Sequence, residues 1–232
     1  MRNPGCAMIV VEPSLLVVQL GLDTSIGLHA MPIDAQVDLS TLASRLPTDI
    51  REAVAKRQRE FLAGRYCAAR ALAHAGYLGD GWLPLGEDRL PVWPAGWIGS
   101  ISHSRFGAVA VATLSSSCRA LGVDMEPLVD AAVAADIESS VASRDELELL
   151  DAFPREIRVT VLFSAKEALF KALYPRTRRF HDFDAARLQG IDGNGLRLQL
   201  SKPWGDHLPE GLEVTVRHAV RDGHVYSLAR LP

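Results

Sequence analysis

Asp124 and Glu126 stand one residue apart in the run Leu121-Gly122-Val123-Asp124-Met125-Glu126-Pro127. Read as a strand that Pro127 terminates, this run puts both carboxylates on one face and leaves Met125 on the other for packing. The carboxylates then lie roughly 6 to 7 Å apart and repel by about 2 to 3 kcal/mol at an effective dielectric of about 20, a cost that a bound divalent cation reverses. Paired hard oxygen ligands suit magnesium, which takes one or two carboxylates together with substrate phosphates. An exposed acidic strand face is the plainer reading, and the pair alone does not choose between them.

A second charged group lies in Val161-Leu162-Phe163-Ser164-Ala165-Lys166-Glu167-Ala168-Leu169-Phe170-Lys171-Ala172-Leu173. At helical spacing Leu162, Phe163, Leu169, Phe170 and Leu173 form an apolar arc. Lys166 falls inside it, Glu167 lies at its edge, and Lys171 sits one turn on and slightly further out. Charges on a core-facing side need partners, because an isolated buried charge is very costly. A solvated Glu167–Lys171 pair four apart, worth about 0.3 to 0.5 kcal/mol, accounts for Lys171 but not for Lys166.

His103, in Gly99-Ser100-Ile101-Ser102-His103-Ser104, is flanked by hydroxyls that could donate to an anion, although a lone loop histidine is more often a surface residue. Arg57, Arg59 and Arg65 add positive charge upstream. Arg65 falls on the apolar face of its helix, where a purely solvated role does not fit.

These groups need elements to hold them. A helix is expected from Pro47 to Gly76, with Thr48 and Asp49 as start signals and Gly76 as the stop. Proline and glycine then mark an irregular loop. Trp97–Ser102 and Gly107–Thr113 read as strands about a turn, and Ala120–Glu126 as a third. The polar break at 115–117 suggests a boundary between halves. A short helix near Arg144–Ala152 precedes a long one from Arg155 to Tyr174, ended by Pro175, and the remainder reads as strands and turns. Met8–Leu22 is apolar but broken by Glu12 and Pro13, without a basic leader or cleavage site, and reads as a strand and not a signal peptide or membrane helix. Each half has one dominant helix followed by short strands, so the element order suggests a duplicated plan.

Composition sets the outer limits. The chain has 232 residues, 48% of them hydrophobic and 23% charged, as expected of an ordinary folded domain. A net charge of -3 gives no global field for nucleic acid or an anionic membrane, so any anion site must be local. The cysteines, Cys6, Cys67 and Cys118, are odd in number and widely spaced, which fits reducing cytoplasm; Cys67 reads as a buried structural thiol.

Four of these segments resemble the 4'-phosphopantetheinyl transferases, specifically the enterobactin-synthetase-associated branch of the surfactin-type class. They are Arg57 to Leu72, Trp93 to Ser104, Leu121 to Pro127 and Phe163 to Leu173, in the family's order and with family-like spacing. The resemblance implies an α/β (α+β) fold of two similar α/β halves about a pseudo-twofold axis, with coenzyme A between them. Residues 1–117 would supply the 3'-phosphate and adenine side, and residues 118–232 the metal and the catalytic helix. It implies transfer of the 4'-phosphopantetheine arm to a serine of an apo acyl or peptidyl carrier protein, releasing adenosine 3',5'-bisphosphate. By matching position, Asp124, Glu126 and Glu167 would hold magnesium, or manganese in its place, and Glu167 would help to deprotonate the serine. Lys166 and Lys171 would meet the transferred phosphate region. Ser102, His103, Arg57 and Arg65 would bind the adenosine-side phosphates, with Arg89 a weaker candidate. Further expectations are a monomer acting in the cytoplasm, a local basic and apolar patch for the acidic helix of the carrier, and no nucleic-acid or membrane partner.

Two competing readings use the same residues. A magnesium-dependent phosphohydrolase or nuclease could employ the carboxylates with a lysine, but a nuclease calls for a basic groove interleaved with aromatics, and no such run is present. A noncatalytic coenzyme A binding module would not need three carboxylates, which repel phosphates unless a metal intervenes.

Overall fold

The computed structural model describes residues 13–33, 39–86, 88–193 and 195–232. The first half contains a short helix α1 (Pro13–Gln19), strand β1 (Gly27–Pro32), a 3-10 turn at Leu39–Arg45, helices α2 (Thr48–Arg51) and α3 (Ala55–His74), and strands β2 (Trp97–His103) and β3 (Gly107–Leu114). The second contains β4 (Ala120–Pro127), α4 (Ala131–Val141), α5 (Arg144–Glu148), α6 (Arg155–Thr177), a 3-10 turn at Phe183–Ala185, and strands β5 (Ala186–Asp192), β6 (Gly195–Leu200), β7 (Glu213–Arg221) and β8 (His224–Leu231).

Both sheets are antiparallel, with strand orders β1-β3-β2 and β4-β8-β7-β6-β5. In each, a leading strand is followed by a long helix and later by a hairpin whose last strand pairs with the leading one. The second half adds the β5–β6 hairpin at its far edge. The duplicated element order is therefore present in the topology.

Strand β3 shows how the sequence builds the layers. Its residues from Gly107 to Thr113 are buried. Ala108, Ala110 and Ala112 face α3 alongside Met31, Ala68 and Ala71, whereas Val109 and Val111 face the other sheet alongside Val123, Met125 and Leu228. Alternation of small and branched side chains thus gives a thin face for a helix and a thick face for a sheet.

The long helices press directly on the leading strands. A Cβ on Gly27 would stand 1.9 Å from the Ala71 carbonyl oxygen, and one on Gly122 would stand 2.0 Å from that of Ala168. Only glycine permits this approach, and at Gly122 it brings one face of α6 onto Asp124.

Several elements depart from the sequence reading. Within Met8–Leu22, residues 13–19 form a helix and not a strand, because Leu16 and Leu20, four apart, are both fully buried while Val18 is 74% exposed. Residues 8–12, like Cys6, lie outside the described residues. The expected single helix from Pro47 to Gly76 is two, α2 and α3. Gln58 Nε2 donates to the carbonyls of Arg51 and Ala53 at 2.8 Å each, satisfying groups that a continuous helix would have bonded itself. The helix expected over Arg144–Ala152 ends at Glu148, where Leu150 N and Asp151 N bond three residues back. Helix α4, capped by Asp130 accepting from Val133 N at 2.9 Å, was not anticipated. Helix α6 runs through Pro175 to Thr177 and stops at Arg178, whose φ of 54° is left-handed.

Cys67 and Cys118 are free and buried, and burial pushes the Cys67 thiol far up, which makes it an inert packing group. Among the described residues no helix is long and apolar enough to cross a membrane.

Candidate active site at the junction of the halves

The two sheets meet where β2 packs beside β4. Ser102, near the end of β2, reaches the fully buried Asp124. Its hydroxyl donates to Asp124 Oδ1 at 2.9 Å and accepts from Lys171 Nζ at 2.9 Å, while Lys171 Nζ also donates to Asp124 Oδ1 at 2.5 Å. Residues from β2, β4 and α6, far apart in the chain, thus close a triangle. Lys171 pairs with Asp124 and not one turn back with Glu167.

Charge is unbalanced around this triangle. Burial, then the neighbouring Asp124, pushes the Glu126 carboxyl up to about 7, with Lys171 opposing and Glu167 adding. Glu167 is also raised, chiefly by burial, with Lys171 lowering and Asp124 raising it. Asp124 Oδ2 is buried without a hydrogen-bond partner. An orphaned buried carboxylate oxygen beside two more carboxyls, against the lone ammonium of Lys171, is the donor set that suits a hard divalent cation. Among the described residues no three acidic, histidine or cysteine side chains are placed together so that they could hold a metal ion. Lys171 occupies one of the Asp124 oxygens. Met125, on the other face of β4, is buried in the core between the sheets, as its alternation requires.

His103 points to the α3 side of β2. Arg57 Nη1 lies 3.2 Å from His103 Nε2, and because a guanidinium only donates, Nε2 is the acceptor and Nδ1 carries the hydrogen, facing Glu60 Oε2 at 4.0 Å. Burial, then Arg57, lowers the His103 pKa, with Glu60 opposing and Lys171 adding to the shift. Glu60, 13% exposed, was missed in the sequence; its position three residues after Arg57 on the same helix was the available signal. Arg57 and Arg89 together line a cavity of about 200 Å³ with Asp49, Phe61 and Leu85. Arg89 therefore joins the basic group, held there by a left-handed backbone at φ 64°.

Two expected phosphate ligands have protein partners of their own. Arg65 is 6% exposed, donates Nε to the Leu83 carbonyl at 2.8 Å and stacks 4.4 Å over Phe61; burial and Arg57 bring it down to about 10. It ties α3 to the following loop. Lys166 is 4% exposed and paired with Glu146 at 2.8 Å, turned away from the Asp124 triangle.

Phe170 separates two hollows beside the triangle. One, of about 550 Å³, is lined by Lys171, Ser100, Pro91, Trp93 and Tyr174, and Asp88 and Arg178 form an ion pair on its wall. The other, of about 280 Å³, is lined by Lys166, Glu167, Phe170, Phe180, Phe183 and Trp204. The junction thus offers basic groups at one end, carboxylates and a lysine in the middle, and an aromatic groove at the other end.

Comparison with known proteins identifies the family. The model of the 4'-phosphopantetheinyl transferase N-terminal domain matches residues 46–113, and that of the 4'-phosphopantetheinyl transferase superfamily matches residues 120–228. Enterobactin synthase component D of Salmonella typhi is 35% identical over 154 residues, 65% of this chain and 62% of that protein. The 4'-phosphopantetheinyl transferase Svp of Streptomyces mobaraensis is 35% identical over 164 residues, 69% of this chain and 65% of that protein. The matched stretch thus spans less than two thirds of the length of either relative. A solved structure of Thermotoga maritima holo-[acyl-carrier-protein] synthase aligns with a TM-score of 0.38 at 20% identity, covering 48% of this chain and 62% of that one. The two family models meet at the junction of the halves and between them take in α3, β2, β4 and α6, so the chain belongs to the 4'-phosphopantetheinyl transferase superfamily.

Proposed function

We propose that the protein transfers the 4'-phosphopantetheine arm of coenzyme A to a serine hydroxyl of an apo acyl or peptidyl carrier protein, leaving a holo carrier and adenosine 3',5'-bisphosphate. The observation that carries this reading is the Ser102–Asp124–Lys171 triangle, with its orphaned carboxylate oxygen, set between a basic cavity and an aromatic groove. Coenzyme A has a matching sequence of parts: a nucleotide with a 3'-phosphate, a diphosphate, and an uncharged arm.

In this reading the first half, to residue 117, holds the nucleotide, and the second half, from 118, holds the reacting diphosphate. Arg57, Arg89 and His103 face the 3'-phosphate, with Arg65 bracing the loop behind them. Ser102 and Lys171 meet the diphosphate. Asp124, Glu126 and Glu167 would hold magnesium, or manganese in its place, which when bound neutralises charge on the diphosphate leaving group. Glu167, at the mouth of the groove and with its carboxyl raised, is the group we assign to accept the serine proton. No covalent intermediate on the protein is needed, because positioning and electrostatic stabilisation account for most catalysis of this type. A single chain supplies both sides of the cleft, which favours a monomer. The free, buried Cys67 and Cys118 fit a reducing compartment such as the cytoplasm. Phe180, 79% exposed beside Arg178 and Arg179, is our candidate edge for docking an acidic carrier helix.

The test is incubation with coenzyme A, magnesium chloride and a broad panel of apo carrier proteins, followed by intact mass measurement. A phosphopantetheine-sized gain on at least one carrier is expected. Unmodified carriers throughout the panel would overturn the proposal.

A further inference from the structure

We propose that Glu146, which lies outside the cleft, is a positioning residue for the groove that receives the pantetheine arm, acting through Lys166. The inference rests on the function proposed above.

The Glu146 and Lys166 side chains are 5% and 4% exposed, and Lys166 Nζ stands 2.8 Å from Glu146 Oε1. The ammonium also donates to the Val141 carbonyl at 2.8 Å and the Phe183 carbonyl at 3.1 Å, so its three donors are all used. Glu146 Oε2 accepts from Ser143 N at 2.8 Å, completing a capping box, and Oε1 accepts from Leu188 N at 2.9 Å. One buried pair therefore ties together the end of α4, the start of α5, the middle of α6, the turn at Phe183 and strand β5.

Stability alone does not explain it. A well-packed apolar pair of similar volume commonly serves a core as well as or better than a buried ion pair. The ion pair adds direction. Lys166 holds the Phe183 carbonyl, and with it the segment from Phe180 to Phe183 that lines the groove together with Phe170, Glu167 and Lys166 itself. Glu167 follows Lys166 by about 100° around α6, so anchoring Lys166 inward sets Glu167 at the groove mouth. Phe183 also packs on Phe163 of α6 with ring centroids 5.2 Å apart, which leaves the carbonyl and the ring as two separate attachments of this segment.

The arm-binding wall depends on the pair, whereas the basic cavity of Arg57 and Arg89 does not touch it. Calorimetric binding of coenzyme A and of adenosine 3',5'-bisphosphate, in the presence of magnesium, separates these two parts. Glu146→Gln is expected to weaken coenzyme A by about tenfold and leave the bisphosphate unchanged, with KM for coenzyme A rising more than kcat falls. The double variant Glu146→Leu with Lys166→Met keeps an apolar core and its melting temperature, and should show the same selective loss. Wild-type affinity for coenzyme A in the double variant would make the pair purely structural and overturn the inference. Equal weakening of both ligands in either variant would overturn it as well. If the wild-type protein binds neither ligand, the functional proposal itself fails and takes this inference with it.

Discussion

In the first half Gly27 lies against the carbonyl of Ala71; in the second, Gly122 lies in the same way against the carbonyl of Ala168. Two residues further along the strands stand His29 and Asp124. Three residues past the contact on the helices stand His74 and Lys171, and one residue before it Arg70 and Glu167. One backbone arrangement thus presents its side chains twice, with different chemistry. The His29 and His74 rings lie 5.6 Å apart with Tyr66 edge-on at 5.8 Å from His29, and His74 Nδ1 bonds the Leu28 carbonyl at 2.8 Å. Burial, followed by His74 and Arg70, brings the His29 pKa down to about 4, so the imidazole is neutral near pH 7. At His29 burial and neighbouring positive charge favour loss of a proton, whereas at Glu126 and Glu167 burial and the neighbouring Asp124 favour keeping one. Matching backbones therefore do not imply matching sites: the charge of two or three side chains sets which way each cluster titrates.

The largest effect that could break this contrast is loss of the second-half charge. Asp124→Ala should lower carrier modification by about a thousandfold or more while unfolding stays cooperative, whereas His29→Asn should leave turnover within about twofold. A comparable rate for the two variants would erase the distinction. Next come the glycines. Gly122→Ala and Gly27→Ala each drive a methyl into helix backbone and should each cost about 1 to 3 kcal/mol in urea unfolding, with Gly122→Ala also losing turnover because α6 shifts from Asp124. Unchanged midpoints would show that these helices sit farther from the strands. His103→Ala should raise the Kd for coenzyme A by about tenfold while turnover at saturation changes less, since His103 faces Arg57 and not the carboxylates; an unaltered Kd would remove it from the nucleotide side.

A pH-dependent effect concerns His29. Its folded pKa, about 4, lies below its ordinary 6.5, so between those values the unfolded chain binds more protons. Stability therefore rises with pH across that window and is lost progressively as pH falls through it. His29→Asn should flatten this part of the urea-midpoint profile, and an identical slope in the variant would show that other groups carry it.

Much of the site was legible in the sequence because its signals are periodic and local. The spacing of Asp124 and Glu126 placed both carboxylates on one face of β4, and the run Gly107–Thr113 read as a strand, although only the structure shows that it is covered on both sides. Where local patterns were ambiguous, the reading failed for identifiable reasons. Leu16 and Leu20 fit a strand or a helix, and only the core between the sheets selected the helix. Pro47 to Gly76 reads as one helix unless Gln58 is known to fold back on Arg51 and Ala53.

The lysines of α6 mark the limit most clearly. Lys166 and Lys171 lie on the same stretch of helix, and the sequence required only that a charge on its inner side find a partner. Tertiary structure supplied the partners, giving Asp124 and Ser102 to Lys171 and Glu146 to Lys166. Helical periodicity can say which way a side chain faces, but the group it meets comes from another part of the chain, brought there by the packing of Gly122 on α6 and of β2 beside β4.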